Sequence, residues 1–284
     1  TYLRDNFDIV TGINLLASLK CTYCHILMSL VVDTKMEETS DLDDLVSMKE
    51  NLPPSTRTVI FLDWDDTLLC SSVLSNQGIK LDSDLDSVEL VSQLEELSDS
   101  VIGVLNVAMS HGTVYIVTNG ETGWVQLSAQ KFLPNVVPFL DKLRVMSARS
   151  TFEPLYPDSP MKWKYHAFQK SLDHEYADSD CVRNVLSFGD SHAEREAIRA
   201  VTRGHPNTRT KSIKFAERPT IEQLQRQLEL VSDCFPYISS HEADLDLCMS
   251  LSASAPNAEP QPPDTQEPAE EPPEPAAQEA VTYV

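Results

Sequence analysis

The sequence predicts an α/β fold, a three-layer Rossmann-like arrangement in which helices cover both faces of a parallel five-stranded sheet. Two observations predict it. Short β-rich apolar runs alternate with amphipathic helical stretches through the middle of the chain, the pattern of βα repeats in one sheet. Helix start and stop signals fall between those runs, where the repeats need them.

The strands are predicted at Thr58–Leu62, Thr113–Val117, Arg144–Ser147, Asn184–Phe188 and Lys211–Phe215. Between the first two, Leu90, Leu94, Leu97, Val101, Leu105 and Ala108 recur at steps of three or four and give one apolar face. Asp86 with Glu89 predicts the cap that starts this helix, and Gly112 stops it after His111. Trp124–Phe132 and Val136–Leu143 read as helices separated at Pro134. A further helix starts near Lys164, and another follows Ser191. The last spans Ile221 to Val231, with Thr220 and Gln223 as its cap.

A chain of 284 residues with 41% hydrophobic residues can hold one sizeable core. The predicted organisation is a poorly ordered segment over 1–56, a folded domain over 57–236, and a disordered Pro/Glu-rich tail over 237–284. The tail's composition becomes extreme from Ser252, with eight prolines, seven acidic residues and no lysine or arginine, so it has little to bury.

A formal net charge of −22 repels phosphate backbones and disfavours sequence-independent nucleic-acid binding. Arg195, Arg199, Arg203, Arg209, Lys211 and Lys214 form the one basic concentration, read as ordinary surface charge. The longest apolar run, Ile26 to Val32, is too short to span a bilayer, so no membrane role is expected. Six scattered cysteines suit a reducing compartment, the cytoplasm or the nucleus. Cys21-Thr22-Tyr23-Cys24-His25 has haem-attachment spacing without a cytochrome-like domain to accompany it. Val281-Thr282-Tyr283-Val284 has the form of a PDZ ligand, a four-residue match that chance often supplies.

The chemistry-bearing residues sit at predicted strand ends, where ligands bind in open parallel sheets. The first strand ends in Leu62-Asp63-Trp64-Asp65-Asp66-Thr67. The second delivers Thr118-Asn119-Gly120, and the fourth delivers Gly189-Asp190-Ser191 with Glu194 four residues beyond Asp190. Lys162 and Lys164 lie between them at a helix start. Two carboxylates leaving one strand end together are costly unless a cation or proton compensates.

In this order, the acidic pair, threonine, lysine and second acidic pair resemble the four motifs of the haloacid-dehalogenase (HAD) superfamily, across most of Arg57–Phe235. Thr118–Trp124 and Ser147–Phe168 also look similar to uncharacterised HAD-like proteins of single-celled eukaryotes. The resemblance implies a HAD core and a Mg²⁺-dependent phosphatase working through a phospho-aspartate. It makes Asp63 the nucleophile and Asp65 the general acid and base. It implies phosphoryl binding by Thr118, with Asn119 beside it, and a charge-neutralising lysine that also touches substrate. Asp63, Asp190 and Glu194, with the main-chain carbonyl of Asp65, would hold Mg²⁺. Lys164 is preferred as the lysine because Ala167 and Phe168 follow it on an inward face, with Lys162 second.

About twenty residues separate Leu68 from Ser87, too few for a helical cap, so little or no cap is expected. An open site suits a bulky phosphorylated substrate, a protein among the options. Trp64 and Trp124 flank the site, more readily as packing than as substrate contacts. Arg149 reads as a surface salt bridge. A receiver domain would carry its acidic residues, threonine and lysine in a different chain order. The alternative function is a catalytically silent HAD-like scaffold that binds a phosphorylated partner, and it would have been free to lose Asp63 or Asp65.

Overall fold

The computed structural model describes residues 56–177 and 181–250. The haem-like spacing at Cys21–His25, the C-terminal tetrapeptide, the segment before Thr56 and the tail beyond Ser250 lie outside the described residues.

Six strands form one wholly parallel sheet: β1 (Thr56–Leu62), β2 (Thr113–Thr118), β3 (Arg144–Ser147), β4 (Val182–Gly189), β5 (Thr208–Lys214) and β6 (Leu245–Cys248). Their spatial order is β3-β2-β1-β4-β5-β6. The chain builds outward from β1 to β3, then crosses back to lay β4, β5 and β6 on the other side. The order therefore reverses between β1 and β4, the pair joined by register from Thr56↔Val182 to Leu62↔Phe188. Crossover segments on both sides part there and leave a crevice at the strand ends.

Eight α-helices cover the sheet among the described residues: α1 (Ser71–Asn76), α2 (Val88–His111), α3 (Trp124–Phe132), α4 (Val137–Leu140), α5 (Ala148–Phe152), α6 (Pro160–Glu175), α7 (His192–Thr202) and α8 (Ile221–Ser240). Successive side chains of β1 point to opposite faces. Ile60 and Leu62 join the core under α2, α3 and α8, while Val59 and Phe61 join the one under α6 and α7. The three-layer expectation holds.

Several boundaries differ from the sequence reading for identifiable reasons. The cap of α2 is Ser87, whose hydroxyl accepts from the Leu90 amide at 3.2 Å, not Asp86 one residue earlier. The Val136–Leu143 helix is a 3₁₀ turn over Pro134–Val136 followed by one turn of α-helix. Helix α6 begins at Pro160, four residues before Lys164, because proline suits a first turn whose N–H has no partner.

The largest correction is at the C-terminal end. Instead of ending at 236, the folded unit continues through Pro236 to the end of α8 and then adds a sixth strand. Pro236 is exposed, and its ring faces water on an amphipathic helix whose Phe235 and Ile238 are buried. Packing of that face outweighs one missing hydrogen bond. The short strand β6 is fastened to α7: Asp246 accepts from Arg195 Nε and Nη2 and from Arg199 Nη1, each at 2.7 Å. The expected basic surface is thus largely engaged within the fold. Lys211 donates to Asn184 and the Ser239 carbonyl, and Lys214 pairs with Glu217 at 3.0 Å.

Partial burial works against the Asp246 charge, but Arg195, helped by Arg199, outweighs it and holds the carboxyl below its usual range. A depressed folded pKa stabilises above the unfolded pKa and is lost as pH falls through the folded one. Asp246→Ala should therefore lower unfolding free energy by about 1–2 kcal/mol at pH 7. Urea titrations should show that difference shrinking as pH drops below about 4.

Candidate active site

Asp63 follows β1 directly and its backbone amide donates to the Phe188 carbonyl at 2.9 Å, which keeps it registered on β4. Its Oδ1 accepts from its neighbour's amide, Trp64 N, at 2.8 Å and from Lys164 Nζ at 2.7 Å. Lys164 is wholly buried and also lies 3.1 Å from Glu194 Oε1, while it donates to the Val117 carbonyl. Lys162, two residues earlier, is exposed and sits over the Tyr156 ring instead. Helix α6 therefore turns Lys164 inward, onto Asp63, and Lys162 outward.

Asp190 and Glu194 enter from the end of β4 and the first turn of α7. Ligand oxygens of Asp63, Asp190 and Glu194 all lie within 4.8 Å of one another. Close approach is possible because position 189 is glycine. A Cβ there would stand 2.8 Å from Glu194 Cγ. Glu194 is further held by the Ser191 hydroxyl, which also caps α7.

The electrostatics follow from burial and one cation. Burial pushes the Asp63 carboxyl well up, against the pull of Lys164. Burial, then Glu194 and Asp66, raises Asp190 to about 7. Glu194 is also penalised by burial, yet Lys164 and Ser191 bring it below its usual value. Burial alone would lower Lys164, but Asp63 and Glu194 more than reverse that. Burial favours the protonated forms of Asp63 and Asp190, and a divalent ion would let all three carboxylates be charged beside one ammonium. Hard oxygen donors of this kind suit Mg²⁺.

Asp65 stands apart from that cluster. Its carboxylate accepts from Trp124 Nε1, at 2.9 Å to Oδ1 and 3.2 Å to Oδ2, and from Thr118 Oγ1 at 3.2 Å. Two carboxylates two residues apart thus occupy different settings, one among acids and one among neutral donors. Thr118 also accepts from the Gly120 amide at 2.8 Å. A Cβ on Gly120 would collide with the Trp124 ring, so glycine there is what lets the indole reach Asp65. Asn119 lies beside Thr118 with its side-chain oxygen buried and without a hydrogen-bond partner among the described residues.

Of the flanking residues, Trp64 is pure packing, buried with its N–H on Ser128 Oγ at 2.9 Å. Arg149 pairs with Glu153 at 2.9 Å and lies over the Trp163 ring. Cys70 is buried, and its thiol is pushed up to about 12 by that burial, so it is no nucleophile. Two contributors were missed in the sequence. Trp124 was read mainly as packing, yet its N–H edge holds Asp65. Asp66 adopts a left-handed backbone (φ 53°) and accepts from the amide and hydroxyl of Ser72, anchoring α1 to the loop after β1. Only the aspartate run itself hinted at the second.

No family model, curated protein or solved structure matches this chain.

Lys164→Met should destabilise the protein by about 3–5 kcal/mol in urea unfolding, because it strands buried carboxylates. Lys162→Met should cost under about 1 kcal/mol, the scale of an exposed cation–π contact.

Proposed function

We propose that this chain is a Mg²⁺-dependent phosphatase with a HAD-type core, which works through a phosphorylated Asp63. The observation that carries the reading is the buried meeting of Asp63, Lys164, Asp190 and Glu194, which come from three separate parts of the chain. Asp65, two residues from the nucleophile and outside the cluster, supports it further. Sequence order of the motifs supports the family; the strand order and the site at its switch point are consistent with it.

Asp63, Asp190 and Glu194 would hold Mg²⁺, together with the main-chain carbonyl of Asp65, and the bound ion would screen the charge of an incoming phosphate. Lys164 orients the Asp63 carboxylate and offsets like-charge repulsion during its attack on phosphorus. Asp65 gives its proton to the leaving oxygen. It then takes one from the water that hydrolyses the aspartyl phosphate and restores Asp63. Thr118 turns its hydroxyl from Asp65 to a phosphoryl oxygen when substrate enters, and Asn119 offers its amide beside it. Trp124 keeps the Asp65 carboxylate in place throughout.

Between β1 and α2 the described chain holds only the six-residue helix α1 and turns, which suits a site with little or no cap. An uncapped site favours a bulky or macromolecular phosphate ester, a phosphoprotein included. Scattered cysteines, rather than the dense framework of a small secreted domain, suit a cytoplasmic protein. No described helix is long and apolar enough to cross a membrane.

Purified protein should hydrolyse p-nitrophenyl phosphate with Mg²⁺ and stop on adding EDTA. Asp63→Asn should lower kcat by on the order of 10⁴, and Asp65→Asn by roughly 10²–10⁴. Absence of turnover across a panel of phosphate esters, with tight binding of phosphopeptides, would replace this reading by the silent scaffold.

A further inference from the structure

Next to Leu69 and Trp124, which both contact Asp65, the structure opens into a cavity of about 580 Å³. Its walls come from α1, the turn that follows and α3. Leu69, Leu74, Ile79, Leu81, Trp124 and Phe132 make it mostly apolar, and Lys80 and Asp82 stand among its walls. Such a volume and lining are those of a small-molecule site. Two of the walls lead straight to the chemistry. Leu69 is bridged to Asp65, and Trp124 donates its indole N–H to the same carboxylate. One aromatic ring therefore holds the proposed acid by its edge and lines the cavity with the rest of its surface.

We propose that this cavity receives the leaving group of the substrate and that the leaving group is aromatic. A planar ring can lie against Trp124, the half-buried aromatic of the walls, where stacking adds to apolar burial. Its ester oxygen would then emerge at Asp65. The chemistry rests on the phosphatase reading: the P–O bond breaks with its electron pair on the phenolic oxygen, which takes the proton held by Asp65, while the phosphoryl group stays on Asp63. The shared ligand chemistry is a phosphate ester of a phenol, supplied either as a free aryl phosphate or as phosphotyrosine in a protein.

The position to alter is Ser75, an exposed residue of α1 that lines the cavity and carries none of the chemistry. Steady-state kinetics should compare 2-naphthyl phosphate, a phosphotyrosine peptide and glycerol 3-phosphate on the full chain and on Ser75→Phe. The wild-type chain should prefer the aryl esters. In the variant, kcat/KM for 2-naphthyl phosphate relative to glycerol 3-phosphate should fall at least tenfold, through KM. Faster turnover of the peptide than of the naphthyl ester assigns the ring to a protein, and the reverse assigns it to a small molecule. A wild-type preference for glycerol 3-phosphate, or a ratio unchanged in the variant, would overturn the cavity proposal and leave the phosphatase standing.

Calorimetry with 2-naphthol separates the two ideas. Binding that weakens at least tenfold in Ser75→Phe, without hydrolysis of any ester, keeps the cavity and removes the enzyme. No 2-naphthol binding at millimolar concentration removes the cavity. Should Ser75→Phe fail to fold, Leu81→Glu provides the same comparison from the opposite wall.

Discussion

A single buried lysine surrounded by carboxylates is the constraint around which the rest of this structure is arranged. Lys164 has no exposed surface, and two of its three contacts are acidic oxygens at 2.7 and 3.1 Å. Burying one ammonium costs several kcal/mol, and burying each carboxylate costs as much again. Only contact between them offsets those costs, so Asp63, Lys164 and Glu194 must be held to within a few tenths of an ångström. A rigid parallel sheet provides that tolerance, whereas a surface loop would not.

The topology explains how distant segments meet the requirement. Because the strand order reverses between β1 and β4, the ends of those two strands are adjacent while their following helices depart in different directions. Asp63 and Asp190 are therefore neighbours although 127 positions apart in the chain. Helix α6 lies across the same crevice and is long enough to deliver its second turn into it. Glycine at position 189 removes the Cβ that would keep the first turn of α7 at a distance. Each of these features is structurally awkward by itself, and together they produce one pocket of charge.

Much of this was legible in the sequence because periodicity and strand-end position carry it. The first five strands fall within about three residues of where the apolar runs place them. The residues singled out at strand ends converge, with Lys164 inward as its helical phase with Ala167 and Phe168 indicates. The misses share a cause: they depend on partners distant in sequence. Strand β6 is four residues long with an aspartate in its middle, and only Arg195 and Arg199 make that aspartate acceptable in a sheet. The helix through Pro236 depends on the apolar face it buries. Trp124 looked like packing because nothing local says that its N–H will find a carboxylate 59 positions away.

That last contact divides the site into two environments. On one side of Asp65, three carboxylates and a buried lysine gather. On the other, the walls are mostly aliphatic and aromatic. Trp124 belongs to both, since an indole is a hydrogen-bond donor at one edge and an apolar surface elsewhere. A tyrosine could donate in its place, but its hydroxyl also accepts and would not commit to a carboxylate in the same way. The ring is possible only because Gly120 leaves room for it, and Gly120 is itself tied down: its amide donates to Thr118 and its carbonyl accepts from Ser147 Oγ at 2.6 Å. The turn after β2 therefore sets the position of Asp65 as firmly as β1 does, so the polar and apolar halves are fixed relative to each other by one loop.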